Sequence, residues 1–219
     1  MTATAYFVTG TDTDAGKTYI STLLLRHFAA QGKRVIGMKP IASGATLLNG
    51  VWQQDDVQQL MQASNVQTPQ ALVNPYCFAP AIAPHIAATQ TGVDVQIAPI
   101  QQALQQLRQQ ADIVIVEGAG GWLVPINAQQ NMADLAQALD IPVILVVGMR
   151  LGCINHALLS VQSIQHSGLP LLGWIANCRD AQMPELQANI DSLRARISAP
   201  CLAVVGQGQT ALAQDFICD

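Results

Sequence analysis

Charge is what this chain has least of. Asp, Glu, Lys and Arg make up 11 % of its 219 residues, against about 25 % in an ordinary soluble domain. Lysine is scarce and the formal net charge is −4, so no basic patch exists to neutralise a phosphate backbone and nucleic acid is not expected as a partner. No apolar run approaches the ~18 residues that a membrane helix needs. The N-terminus enters a strand-like run within a few residues, without the basic and apolar regions of a signal peptide. The five cysteines (Cys77, Cys153, Cys178, Cys201, Cys218) are scattered and form no C-x-x-C pair. That argues against a disulfide framework and against a zinc site, and fits a reduced compartment. A soluble, cytoplasmic protein is the expectation. Internal repeats and low-complexity linkers are missing too, and the length suits one α/β domain but not two, so residues 1–219 are read as a single domain.

Hydrophobic residues, by contrast, reach 50 %. Glutamine takes over much of the surface, as in Gln101-Gln102, Gln105-Gln106 and Gln109-Gln110. So thin a charged surface leaves room for an oligomer interface. Strand-like runs alternate with helical patterns: Tyr6–Thr9, Val35–Met38, Ile113–Glu117, Val143–Val147, Leu171–Ala176 and Leu202–Val205 are Val/Ile-rich without alternation. Such runs belong to a parallel sheet buried on both faces. Helices are read from Lys17 to Gln31, ending near Gly32, then through Ile97, Ile100, Leu104 and Leu107, over Asn155–Ser167, and over Pro184–Ile197, on their 3.6-residue period and stop signals. Ala42–Asn49 and the proline-bearing Leu72–Pro84 are read as loops near the strand ends, where substrate loops of such sheets lie.

One segment gives this α/β frame a chemistry. Gly10-Thr11-Asp12-Thr13-Asp14-Ala15-Gly16-Lys17-Thr18 follows the run Tyr6-Phe7-Val8 and precedes a helix. Strand, glycine-bounded turn, Lys-Thr and helix together make a phosphate-cradling loop, so the fold expected is a doubly wound, mostly parallel P-loop NTPase sheet. Backbone N–H groups and a helix N-terminus converge there on bound anions. Lys17 supplies a point charge for the β/γ oxygens, and the Thr18 hydroxyl can join a Mg²⁺ shell. Five residues separate the two glycines, so Thr11 stands where the first glycine usually does.

Further polar residues sit at strand ends. Lys39 ends the second strand on the same sheet edge as the phosphate loop, placed to neutralise transferred charge, or simply a surface lysine at a strand end. Ser43, four residues on, can donate to an oxyanion. Glu117 emerges from four apolar residues and leads into Gly118-Ala119-Gly120-Gly121; an acid there commonly supports Mg²⁺, and the glycines admit a ligand close to the backbone. Asp55-Asp56 opens an amphipathic stretch, where one aspartate caps the helix and either could serve Mg²⁺. Asn177 closes a later strand, suited to pairing with an adenine edge or to an ordinary turn. His85 and His156 lack ligand spacing and are read as non-catalytic.

Taken in order, these segments resemble the dethiobiotin synthetase family. The resemblance runs through most of the chain: Val8–Thr13, Gly16-Lys17-Thr18, Lys39-Pro40, Ala42-Ser43-Gly44, Asn74-Pro75-Tyr76, Ala83-Pro84-His85, Val116–Gly121 and Leu151–His156. It implies ATP-dependent carboxylation of 7,8-diaminopelargonate: CO₂ adds to one amine as a carbamate, ATP phosphorylates it, and the second amine closes the ureido ring, releasing ADP and phosphate. By position, Thr13, Asp14, Ala15, Gly16 and Lys17 would surround the phosphates. Thr18, Asp56 and Glu117 would hold Mg²⁺, which favours Asp56 over Asp55, and Gly118, Ala119 and Gly120 would line the nucleotide. Lys39, Lys17 and Ser43 would act on the carbamate and the phosphoryl group, and Asn177 would read adenine. The family also implies a homodimer, with the substrate carboxylate taken by the helix start Gly152-Cys153-Ile154-Asn155 of the neighbouring subunit.

The chain departs from the family in two places. Asp14 stands where some members carry Glu, and the tail Val204–Asp219 lacks the proline-bearing segment that elsewhere encloses the base, which leaves nucleotide selectivity open. Two other readings compete. A cobyrinate-type amide ligase would need a fused glutaminase domain, for which the length is insufficient. A nucleotide-switch ATPase of the partitioning or metal-delivery kind would carry an early second lysine, where Thr11 and Asp12 stand.

Overall fold

The structure is a computed structural model, described over residues 3–178, 183–213 and 216. Its ten strands are β1 (Thr4–Gly10), β2 (Val35–Met38), β3 (Ile41–Ser43), β4 (Thr46–Leu48), β5 (Val51–Gln53), β6 (Tyr76–Phe78), β7 (Ile113–Gly121), β8 (Val143–Gly148), β9 (Leu171–Cys178) and β10 (Cys201–Gly206). The eight helices are α1 (Lys17–Ala30), α2 (Asp55–Ala63), α3 (Gln70–Val73), α4 (Pro84–Thr91), α5 (Ile97–Gln110), α6 (Met132–Leu139), α7 (Cys153–His166) and α8 (Leu186–Arg194). Six strands form the main sheet in the order β10-β9-β8-β1-β7-β2, and every pair in it is parallel.

Apolar runs without alternation produce this sheet because both faces are covered. Tyr6, Val8, Ile113, Ile115, Ile144, Val146 and Ile175 pack on Ile20, Leu23 and Leu24 of α1. Their neighbours Phe7, Val114, Val116, Leu145 and Trp174 pack on the other side, against α5, α6, α7 and α8. The strand order runs outward in both directions from β1, so a crevice opens at its carboxyl end, where doubly wound sheets bind ligands. Among the described residues, no helix is long and apolar enough to cross a membrane.

Several expectations are corrected. The stretch 42–49 carries β3 and β4, while 72–84 carries the end of α3 and all of β6. β3 pairs with β6, and β4 pairs with β5 as an antiparallel hairpin. These strands have three residues each, too short for periodicity to reveal. Ser43 therefore ends a strand. β7 runs on to Gly121, so the glycines after Glu117 belong to the sheet. Helix α7 starts at Cys153, two residues earlier than read, and α8 is shorter than Pro184–Ile197. Neither aspartate caps α2: the cap is Gln54, whose side chain accepts from Val57 N, and Asp55 and Asp56 lie inside the first turn. Cys218 lies outside the described residues, as do parts of the tail.

Candidate active site

The phosphate loop turns sharply from β1 into α1 through Gly16, whose φ of 89° is left-handed, a conformation that glycine adopts without strain. The helix has no side-chain cap and no acid in its first turn, so its free N–H groups are available to an anion. The carboxyl ends of β8 and β9 brace the turn. Thr11 N donates to Val146 O at 3.0 Å, and Asn177 Nδ2 donates to Ala15 O at 2.7 Å. The Arg150 guanidinium pairs with Asp12, and His156 Nδ1 lies 3.8 Å from the same carboxylate. A Cβ on Gly148 would come within 3.1 Å of Ala15 Cα, so only glycine lets β8 end this close to the loop.

The chain holds only three lysines, Lys17, Lys33 and Lys39, and two of them are buried at this site. Lys17 is 6 % and Lys39 4 % exposed. Lys39 Nζ donates to Glu117 Oε1 at 2.6 Å and to Gly118 O at 3.2 Å, and lies 3.3 Å from Asp56 Oδ2. Thr18 Oγ1 donates to the same Glu117 Oε1 at 2.8 Å. Lys17 Nζ reaches back to Asp12 O at 3.1 Å. Asn74 Nδ2 donates to Lys39 O at 2.6 Å and Tyr76 O at 2.9 Å, fixing the strand end that carries Lys39.

Electrostatics separate the two lysines. Burial, reinforced by the nearby Lys39 charge, lowers the Lys17 pKa from 10.5 to about 8. Burial also works against the charge on Lys39, but the Glu117 and Asp56 carboxylates outweigh it and raise the pKa. Asp56 is pushed up by its burial, yet the Lys39 ammonium holds it below the ordinary carboxylate value.

These groups open onto a cleft of about 860 Å³. Thr13, Asp14, Gly16, Lys17, Thr18, Lys39, Ser43, Asp56, Glu117, Ala119 and Gly120 line it. Other expected residues do not. Ala15 and Asn177 are buried behind the loop, at 1 % and 2 % exposure. Gly118 contributes its carbonyl to Lys39. Gly152–Asn155, an uncapped helix start, does not line the cleft. Sequence reasoning quoted Asp12 and Asn74 within matching segments but gave them no role, and it did not single out Arg150; all three act through contacts distant in the chain. It also missed Tyr19, Gln54, Gln59, Ala81, Gln207 and Gly208 in the cleft wall. Only Tyr19 carried a signal, being next to Thr18.

The donor set suits Mg²⁺. Glu117 Oε2 is buried without a hydrogen-bond partner, and Asp56 and the Thr18 hydroxyl add hard oxygen donors. Among the described residues, no group of three or more His, Cys, Asp or Glu side chains could hold a metal by itself. An ion here would complete its shell with phosphate and water, as Mg²⁺ commonly does.

The chain matches the AAA-domain family model over residues 4–211. It is 48 % identical over 211 residues to an ATP-dependent dethiobiotin synthetase of Nitrosospira multiformis, covering 96 % of this chain and 92 % of that protein. It is 49 % identical over 197 residues to the Xanthomonas campestris pv. campestris protein of the same name, covering 90 % and 88 %. The MinC:MinD cell division complex of Aquifex aeolicus gives a structural match, with TM-score 0.56 and 13 % identity over 94 % of this chain and 82 % of that one; this likeness is one of fold alone. Carried by near-half identity over nearly its full length, the chain belongs to the ATP-dependent dethiobiotin synthetases.

Proposed function

We infer that this protein closes the ureido ring of dethiobiotin from 7,8-diaminopelargonate, CO₂ and ATP. The observation that carries the reading is the convergence of Lys17, Lys39, Asp56 and Glu117 on one cleft. The chemistry needs cations at two anionic groups, a carbamate and a phosphoryl group in transfer, and two of three lysines are committed there.

The reaction begins when an amine of the substrate takes up CO₂ and loses a proton, giving a carbamate. Lys39 and the Ser43 hydroxyl, whose Oγ is buried without a partner, hold the carbamate oxygens. Lys17, Thr13 and the N–H groups at the start of α1 hold the triphosphate. The carbamate oxygen attacks the γ-phosphorus and the bond to ADP breaks. The ammonium groups stabilise charge that grows in that transition state, and being preorganised they need no rearrangement as it forms. The second amine then attacks the carbonyl carbon of the mixed anhydride, phosphate leaves, and the ring closes. Thr18, Asp56 and Glu117 would hold Mg²⁺, whose chemistry is to neutralise the β- and γ-phosphate oxygens. Asn177, behind the loop, contributes by holding the loop's shape through its donation to Ala15 O.

The reading extends to a homodimer. The uncapped N-terminus of α7 offers N–H groups to a carboxylate, and it lies outside its own subunit's cleft. Leu151, at 98 % exposure, with Leu159 at 58 %, supplies apolar surface that a second subunit would cover. The described cysteines are all unpaired, in keeping with a cytoplasmic location. Purified protein mixed with diaminopelargonate, bicarbonate and MgATP tests the function. Diamine-dependent phosphate release with a cyclic urea product supports it, and phosphate release indifferent to the diamine overturns it.

A further inference from the structure

The cleft has two ends. Ser43, Ile41 and Ala81–Pro84 extend it toward β2, while Tyr19, Gln207 and Gly208 close it toward β10, at the opposite edge of the sheet. Lys39 and Ser43 lie at the β2 end, where the terminal phosphate meets the amines. A nucleotide with its phosphates on Lys17 and Thr18 therefore leaves its nucleoside pointing toward β10.

The wall at that end is a turn with little to hold it. Gln209 N donates to Gly206 O at 3.4 Å, a long bond. The Gln209 side chain accepts from Gly206 N at 3.2 Å and donates to Ala211 O at 2.7 Å. Gly208 takes a left-handed φ of 73°, and nothing surrounds the place where its Cβ would be. No proline stiffens the chain beyond Pro200. From outside the turn comes the Tyr19 hydroxyl, which donates to Gln209 O and lies 3.3 Å from Gly206 O. Tyr19 stands one residue after Thr18 on α1, the helix that begins at the phosphate loop.

We propose that Tyr19 is a positioning residue that tethers the Gly206–Gln209 turn to the phosphate-binding helix, so that Gln207 and Gly208 hold the nucleotide's base. The proposal rests on the nucleotide-dependent reading of the cleft. The phenol places no atom on the phosphates; it sets the distance between the phosphate loop and the base wall. Gln207 lines the cleft, and its amide both donates and accepts, so it can meet several base edges. Discrimination among bases then depends on how firmly the turn is held.

The experiment compares ATP with inorganic tripolyphosphate, which has the phosphates and no base. In Tyr19→Phe the ring stays and one hydrogen bond is lost. The KM for ATP rises about fivefold, while the KM for the diamine holds and the inhibition constant of tripolyphosphate against ATP is unchanged. The ratio of kcat/KM values for ATP, CTP and GTP flattens toward one. Gln207→Ala shifts the same ratio and leaves tripolyphosphate alone, and its exposed position spares the fold. Equal weakening of ATP and tripolyphosphate in Tyr19→Phe overturns the proposal, since Tyr19 would then act through the phosphate loop. An unchanged ATP KM with an unchanged base ratio overturns it as well. Failure of the underlying reading is distinct: the parent protein would show neither diamine-dependent ATP turnover nor competition by tripolyphosphate.

Discussion

Lys39 Nζ and Glu117 Oε1 lie 2.6 Å apart at the buried floor of the cleft, the residues being 4 % and 0 % exposed. A pair so buried gives little net stability, yet loss of either partner strands the other's charge at a cost of about 3–5 kcal/mol. Lys39 also stands among the oxygens that suit Mg²⁺. The ammonium thus serves as an internal counter-ion of the Glu117 and Asp56 carboxylates.

Lys39→Ala should lower turnover about a hundredfold, the equivalent of one lost transition-state contact worth about 3 kcal/mol. MgATP should still bind, because Lys17 and the loop are untouched. Steady-state kinetics beside calorimetric titration with MgATP separates the two effects. Turnover within about threefold of the parent would remove Lys39 from the mechanism.

Glu117→Gln keeps the shape of the side chain and removes its charge. Added to ATP, Mg²⁺ should raise the thermal midpoint of the parent beyond the effect of ATP with EDTA, since whatever binds only the native state stabilises it. In the variant that increment should vanish. An equal increment in both proteins would take Glu117 out of the metal site.

The lowered pKa of Lys17, about 8 in the nucleotide-free protein, carries two signs. Only the ammonium form attracts phosphate, so the KM for MgATP should be flat below about pH 7 and rise up to tenfold per unit above pH 8. Stability moves the other way. Between about 8 and 10.5 the unfolded chain holds more protons at this lysine than the folded one, so the nucleotide-free fold gains stability as pH rises there; below 8 the cost of burying the charge is present in full. Urea unfolding and MgATP kinetics across that range check both, and Lys17→Met should abolish both trends.

Leu159, 58 % exposed on α7, tests the shared site. Leu159→Glu should shift sedimentation toward monomer and raise the KM for the diamine more than tenfold, with MgATP binding intact. A monomer with the parent's KM would show that one subunit suffices.

Sequence revealed the elements whose pattern is local. The strand Val35–Met38 matches its reading residue for residue, because a strand buried on both faces must be apolar throughout. Helix α5 was legible from the apolar stripe Ile97, Ile100, Leu104 and Leu107. Local pattern also placed Lys17, Lys39 and Glu117 at strand and loop ends, where the structure brings them onto one cleft. Contacts between distant residues left no such trace. Asn74 holds the Lys39 carbonyl from 35 residues away, and Arg150 reaches Asp12 across 138; neither spacing is periodic. Gln54 caps α2 in a place where the adjacent aspartates have the stronger intrinsic preference, and there tertiary placement overrode propensity.

The central strand has a bearing on how the molecule comes into being. β1 is made before the other strands, yet among the described residues it pairs with β7 and β8, and β2 pairs with β7. No main-sheet ladder can close until Ile113 and the residues after it have been synthesised, which makes for high contact order and slow nucleation. A fragment ending before Ile113 would contain the whole phosphate loop and both cleft lysines but would leave β1 and β2 without their main-sheet partners. Nascent chains arrested there would offer Tyr6–Val8 as a sticky edge to chaperones and to each other, and would bind no nucleotide.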